Sequence, residues 1–244
     1  MHPRHVREEA LRLLTEEGLS LSEVGRRLRV SRAALREWRE NGPGPEGDGC
    51  PGHLTSPAYA ALLGYYLGDG CLSRAPRTVA LRVSCDARYP GIIADVTALI
   101  AEVHPTRPVF HVRAPGVVVV QGCWKHWPCL FPQHGPGRKH TRDLVLADWQ
   151  RAVVEEHPGD FLRGLFHSDG ARVRNWASRT VGDEQRRWYY PRWHFVNHSE
   201  DILGFCTDAL DLAGVAWRRS GRFTISVSRR ADVARLDELV GPKR

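Results

Sequence analysis

Apolar residues recur along this chain at two spacings, a helical one near 3.6 residues and a strand one of 2, and the switches between them mark the elements. Residues 6–40 hold three short helical patterns. The first, VREEALRLLTEEG, puts Ala10, Leu13 and Leu14 on one face and stops at Gly18. Ser20 or Ser22 caps the second, SEVGRRLR, which buries Val24 and Leu28. Ser31 caps the third, SRAALREWRE, which buries Ala34, Leu35 and Trp38. Residues 42–55 are rich in Gly and Pro and read as a linker.

Beyond the linker the pattern repeats. LLGYYLGDG at 62–70 and LRGLFHSDG at 162–170 share a leading Leu, a Gly two places on and a closing Asp-Gly, and Asp69 and Asp169 are 100 residues apart. Each segment is followed by two strand-like runs, about 71–76 and 79–86 in the first copy and about 171–179 and 187–196 in the second. An amphipathic helix comes next, carrying Ile92, Val96, Leu99 and Ile100 in one copy and Ile202, Leu203, Cys206 and Leu210 in the other. Two further strands follow, then a helical segment. The fold class is therefore α+β: two αββαββα pseudo-repeats forming antiparallel sheet, at 56–140 and 141–244, behind a small all-α domain at 1–41. The second copy has about ten extra residues in its first hairpin, around Gly182-Asp183.

Strand alternation assigns faces. Leu81, Val83 and Cys85 alternate with Arg82 and Ser84; Phe110 and Val112 with His111 and Arg113; Phe223, Ile225 and Val227 with Arg222, Thr224, Ser226 and Ser228. The polar set reads as a wet, basic sheet face suited to a DNA groove. The DNA-contact candidates on it are Arg74, Arg82, Arg113, Gln121, Arg172, Arg174, Arg192, Arg222, Thr224 and Ser226.

Charge supports that partner. The formal net charge is +7, and the basic residues are 32 Arg and only 3 Lys. Guanidinium suits phosphate and base-edge recognition. No apolar run approaches the roughly 20 residues a membrane span needs, and MHPRHVREEA has no apolar h-region, so no secretory signal is expected. Six Cys without a CxxC pair fit a reducing cytoplasm better than a disulfide framework. In Cys50-Pro-Gly-His53 and in CWKHWPCLFPQH (123–134) a zinc site is the weaker reading; the second segment reads as a short Trp-anchored helix beneath the sheet.

The chemistry concentrates at the paired segments. Gly64 and Gly68, and Gly164 and Ser168, are small residues four apart, a spacing that lets two helix backbones cross closely. Such a crossing brings Asp69 and Asp169 together at the helix C-terminal ends, where the macrodipole and mutual repulsion disfavour both charges and a cation offsets them. Two of the three lysines, Lys139 and Lys243, stand at matching places near the ends of the copies, each shortly after Gly-Pro. Lysine can give up a proton or bind phosphate as a point charge. Gln121 is an alternative water-positioning residue.

The paired nonapeptides within this frame resemble the LAGLIDADG homing endonuclease family over residues 56–244. The resemblance implies a saddle-shaped sheet over double-stranded DNA, with Asp69 and Asp169 as ligands of Mg²⁺ or another divalent cation. Asp69, Asp169, Lys139 and Lys243 are then the catalytic set, and both strands are cut. Leu67 and His167 depart from the family pattern, which has an acid at that place. Residues 6–40 resemble a helix-turn-helix of the homeodomain-like or transposase type, and that resemblance implies DNA contacts from Arg32, Arg36 and Arg39. Arg29 departs from it, standing where such turns often carry Gly. One chain holding both copies is expected to act as a monomer on a pseudo-palindromic site, in the cytoplasm with the nucleoid. The alternative expectation is a transcription regulator that uses the same fold without cutting. Intein splicing and small-molecule catalysis lack their motifs.

Overall fold

The computed structural model describes residues 4–42, 53–75, 78–181 and 184–244. The chain divides into two compact units at Gly52/His53.

The first unit has three helices: α1 (Arg4–Thr15), α2 (Leu21–Leu28) and α3 (Arg32–Asn41). They close on Ala10, Leu13, Val24, Val30 and Leu35. Ser20, the earlier of the two candidate caps, starts α2 through a reciprocal box with Glu23, and Ser31 accepts from the Ala34 amide at the start of α3. Between α2 and α3, Arg29 takes the left-handed conformation at φ 55° and returns its amide to the Gly25 carbonyl. The turn thus forms without the glycine that usually fills such a position. Gly25 is needed instead, since a Cβ there would lie 2.9 Å from the Val30 carbonyl oxygen.

The second unit carries the duplication. Its first copy runs α4 (Pro57–Leu67), β1 (Gly70–Ala75), β2 (Thr78–Asp86), α5 (Pro90–Val103), β3 (Val109–Ala114), β4 (Val117–Cys123) and α6 (Trp127–Leu130). The second runs α8 (Pro158–Asp169), β5 (Gly170–Val181), β6 (Glu184–Val196), α9 (Glu200–Leu212), β7 (Arg218–Gly221), β8 (Thr224–Val227) and α10 (Arg230–Val240). The strands form two antiparallel four-stranded sheets, ordered β1-β2-β4-β3 and β5-β6-β8-β7. Both copies are therefore αββαββα, as expected.

One helix was not foreseen. α7 (Asp148–Glu156) precedes α8 and, among the described residues, has no counterpart before α4. Its sequence DWQRAVVEE shows little apolar periodicity because a polar residue, Gln150, is fully buried. Gln150 is held by Tyr59, Gln133 and the Leu130 carbonyl, so its burial is satisfied. The cysteine reading also needs correction. Cys71, Cys85, Cys123 and Cys206 are free thiols, but Cys129 is disulfide-bonded. Spacing along a chain cannot tell which thiols a fold brings within bridging reach.

α4 and α8 form the centre. Every residue of α4 from Ala58 to Leu67 is buried, as befits a helix enclosed on all sides. A Cβ on Gly64 would overlap the Phe161 carbonyl oxygen, and one on Gly164 the Ala61 carbonyl oxygen. The two backbones therefore touch at these glycines, and only glycine permits it. Leu62, Tyr66, Leu165 and Phe166 fill the surroundings. α6 anchors beneath the first sheet through Trp127, whose indole donates to the Gly122 carbonyl at 2.9 Å.

Candidate active site and nucleic-acid interface

The close helix crossing carries the two acids to one place. Gly68 faces Ser168 so tightly that an added Cβ would overlap the Ser168 side chain and lie 3.3 Å from Asp169 Oδ2. Asp69 is reached by solvent at its surface but is crowded by protein. Desolvation, with the Asp169 charge adding to it, pushes its carboxyl up to about 6. Asp169 is half-buried and is also pushed up by desolvation, opposed by a 2.8 Å hydrogen bond from the Asn197 amide.

The matched lysines meet the helix ends. Lys139, in a short 3₁₀ turn after α6, donates to the carbonyls of Tyr66, Leu67 and Gly68 at the end of α4. Lys243 donates to the carbonyls of Ser168 and Gly170 at the end of α8. Each ammonium satisfies carbonyls that a helix terminus leaves unpaired and opposes the negative end of the dipole. Burial pulls Lys139 down to about 8 and lowers Lys243, while both aspartates pull the other way. The lysines thus stabilise helix ends that the aspartates destabilise.

Two cavities flank the crossing. One, of about 750 Å³, is lined by Asp69, Lys243, Ser84, Cys85 and His167. The other, of about 480 Å³, is lined by Asp169, Lys139, Asn197, His134 and His198. Behind the first, the Tyr65 hydroxyl donates to Asp95 at 2.9 Å and lies 2.7 Å from His167 Nδ1. Arg163 pairs with Asp95, so α4, α5 and α8 are tied together there. His167, which breaks the nonapeptide pattern, is a buried member of this tie, with its basicity lowered by desolvation.

Asn197 escaped the sequence reading. Its alignment partner in the first copy is Cys85, since Gly70 pairs with Val83 and Gly170 with Phe195. The signal was hidden because the longer second hairpin shifts the spacing after Asp169.

Sheet register separates the DNA-contact candidates. On the outer face, away from the helices, one rung of the first sheet reads Cys71, Arg82, Gln121, Phe110. The matching rung of the second reads Ala171, His194, Ser226, Arg218. Arg82, Gln121, Arg192 and Thr224 lie on this face, and Arg222 is exposed in the turn between β7 and β8. Ser226 lies there too, but it is buried and its hydroxyl is engaged by His194 Nδ1 at 2.8 Å and Ser220 at 3.0 Å.

Four arginines take the opposite side. Arg74 shares parity with buried Leu72, and Arg113 pairs with buried Val118. Arg172 pairs with buried Trp193 and is bound to Asp237 of α10 at 2.7 Å; Arg174 follows it. In β3 the expected parity is reversed. His111 turns toward α5, 2.8 Å from the Thr97 hydroxyl, and leaves Phe110 and Val112 exposed. The apolar residues of that edge strand were not the covered ones. In the first unit, Arg32, Arg36 and Arg39 are all exposed on α3.

Two motif helices crossing at glycines, each followed by a ββαββ half-sheet, decide the architecture. This is the arrangement that the resemblance to the LAGLIDADG endonucleases implies. No protein-family model matches the chain, and no curated protein matches it. Several solved structures are similar to it. The chain is similar to I-DmoI in complex with DNA and Mn, at 14% identity and TM-score 0.49, over 78% of this chain and 99% of that one. It is similar to the LAGLIDADG meganuclease I-AabMI bound to uncleaved DNA, at 12% identity and TM-score 0.47, over 75% and 82%. It is similar to the N-terminal LAGLIDADG domain of DUF199/WhiA, at 14% identity and TM-score 0.47, over 80% and 88%.

Among the described residues no group of three or more His, Cys, Asp or Glu is placed to hold a metal ion. The two aspartates nevertheless suit a hard divalent cation: both are carboxylates raised by desolvation, so bound positive charge would restore their ionised forms, with water or phosphate oxygens completing the shell. Among the described residues no helix is long and apolar enough to cross a membrane.

Proposed function

We propose that residues 53–244, acting as a single chain, bind double-stranded DNA on the outer sheet faces and cleave it with Mg²⁺ or another divalent cation. The carrying observation is the pair of carboxylates, Asp69 and Asp169, at the touching ends of two helices, each with a lysine at its helix end. A cation held by these aspartates supplies Lewis-acid stabilisation of charge on a scissile phosphate. The chain's own residues do the rest. Asn197 holds one oxygen of Asp169 in place. Lys139 and Lys243 set two ammonium groups near the acids, where they favour an approaching phosphate. Arg82, Gln121, Arg192, Thr224 and Arg222 supply contacts along the duplex. Ser226 contributes through the His194 orientation it fixes. Arg74, Arg113, Arg172 and Arg174 are not part of this contact set.

A second reading, a DNA-binding regulator that does not cut, is favoured by the three-helix unit. Its Ser31-capped α3 displays Arg32, Arg36 and Arg39 to solvent, the arrangement of a recognition helix. The deciding experiment incubates the full chain with a randomised DNA library with and without Mg²⁺, beside the Asp69→Asn/Asp169→Asn pair. Metal-dependent cuts that the pair lacks establish the nuclease. Metal binding by calorimetry should weaken in the same pair. Tight, salt-sensitive binding with no cuts by either protein establishes the regulator.

A further inference from the structure

β5 and β6 extend well past their counterparts, 12 and 13 residues against 6 and 9 in β1 and β2. At the base of this ribbon, Trp193 and Phe195 point into the helix layer and are buried. Residues of the same parity farther out, Arg174, Trp176, Arg187 and Tyr189, are exposed. There Trp176 and Tyr189 form a cross-strand pair, 49% and 52% exposed. Arg187 lies over the Trp176 ring at 4.7 Å, and Arg174 over the Tyr189 ring at 4.3 Å. The order along this face is therefore cation, two rings, cation. Among the described residues neither arginine has an ion pair, so their in-plane N–H groups are available.

We propose that this back face of the ribbon is a binding site for single-stranded DNA, separate from the duplex-facing side of the sheet. Charge selects an anionic partner: the two strands carry six arginines against one acid, Glu184. The rings select among anions. Each ring carries a guanidinium over one face yet is about half exposed; the uncovered part gains most from flat partners, and stacked bases in a duplex have no free faces to give, whereas unpaired bases do. An acidic peptide would satisfy the arginines but leave the rings uncovered. The guanidiniums, already stacked on the rings, are oriented for backbone phosphate at little further ordering cost. The site stands whether or not the chain cuts DNA, so a failed cleavage assay leaves it intact.

The test uses the full chain and fluorescence anisotropy with labelled oligothymidylate, random duplex and polyglutamate. Trp176→Ala/Tyr189→Ala should weaken oligothymidylate binding by about tenfold for each ring and leave duplex binding little changed. Trp176→Phe/Tyr189→Phe should retain most of the single-strand affinity, which a merely structural loss would not allow. Circular dichroism of each variant should match the wild type, since both rings are half in solvent. Unchanged oligothymidylate binding in the alanine pair overturns the proposal. So does equal loss of duplex and single-strand binding, or polyglutamate binding that depends on the same two rings.

Discussion

The two repeats share their element order, their central helix and their lysine-capped acid, yet they differ at the acid itself. In the second copy Asn197 grips Asp169; in the first, the matching residue is Cys85, whose thiol is pushed up to about 12 by burial and the Asp69 charge. The second copy also carries the long β5–β6 ribbon where the first has a short hairpin. What the copies hold in common is what the crossing demands: glycine at the contact and a cation at each helix end. Where they part is on surfaces that meet solvent or ligand. Packing tolerates little change at a backbone contact, whereas a cavity wall or a hairpin tip can vary without disturbing the core.

The strongest challenge to this view is to the shared part. Gly64→Val or Gly164→Val drives a side chain into a facing carbonyl, and each should cost about 3 kcal/mol or more, because neither backbone can retreat. Urea unfolding reads this directly, and a loss confined to one of the two would break the equivalence of the repeats. Next in size is Asn197→Ala. It removes the bond to Asp169 and a second one that receives the Ser199 amide before α9, for about 1–2 kcal/mol in total. Cys85→Ala should cost less, as the free thiol contributes packing and one weak hydrogen bond to the Val83 carbonyl.

The unequal acids give a pH signature. Asp69 keeps its proton up to about 6 when folded, against 3.8 ordinarily. Between those values the folded chain binds the extra proton, so metal-free stability falls as pH rises. Solvent access to the side chain reduces the size of that fall. Denaturation midpoints in chelator should show it in the wild type and a flatter profile in Asp69→Asn; a wild-type profile no steeper than the variant's breaks the assignment. A divalent cation should also flatten it.

Smaller effects sharpen the surface comparison. Arg82→Ala should reduce the slope of log affinity against log salt by about 1, while Arg172→Ala leaves the slope alone and loses only the Asp237 pair. Gly204 in α9 stands where α5 has Ala94, with nothing within 4 Å of an added Cβ. Gly204→Ala should therefore stabilise by about 0.5–1 kcal/mol, seen as a raised melting temperature.

Much of this was legible from residue order. The spacing of apolar residues, the Ser caps and the two Asp-Gly endings are local signals, and local signals report helices and strands because backbone geometry sets their periods. The hundred-residue repeat by itself sets Asp69 opposite Asp169 and Lys139 opposite Lys243. The capping role of those lysines was not legible, because it depends on where two loops return to two distant helix ends. Nor was α7, whose buried face sets a satisfied glutamine, Gln150, beside only two apolar residues, Val153 and Val154.

Sequence alone thus determined the duplicated frame, its close-packed central helices and the four ionisable residues at their ends. Tertiary structure alone decided which way each arginine faces, what holds Asp169, and that Phe110 rather than His111 looks outward. The reason is physical. A strand's alternation specifies two faces but not which of them the helix layer will cover, and one residue's shift of parity exchanges them.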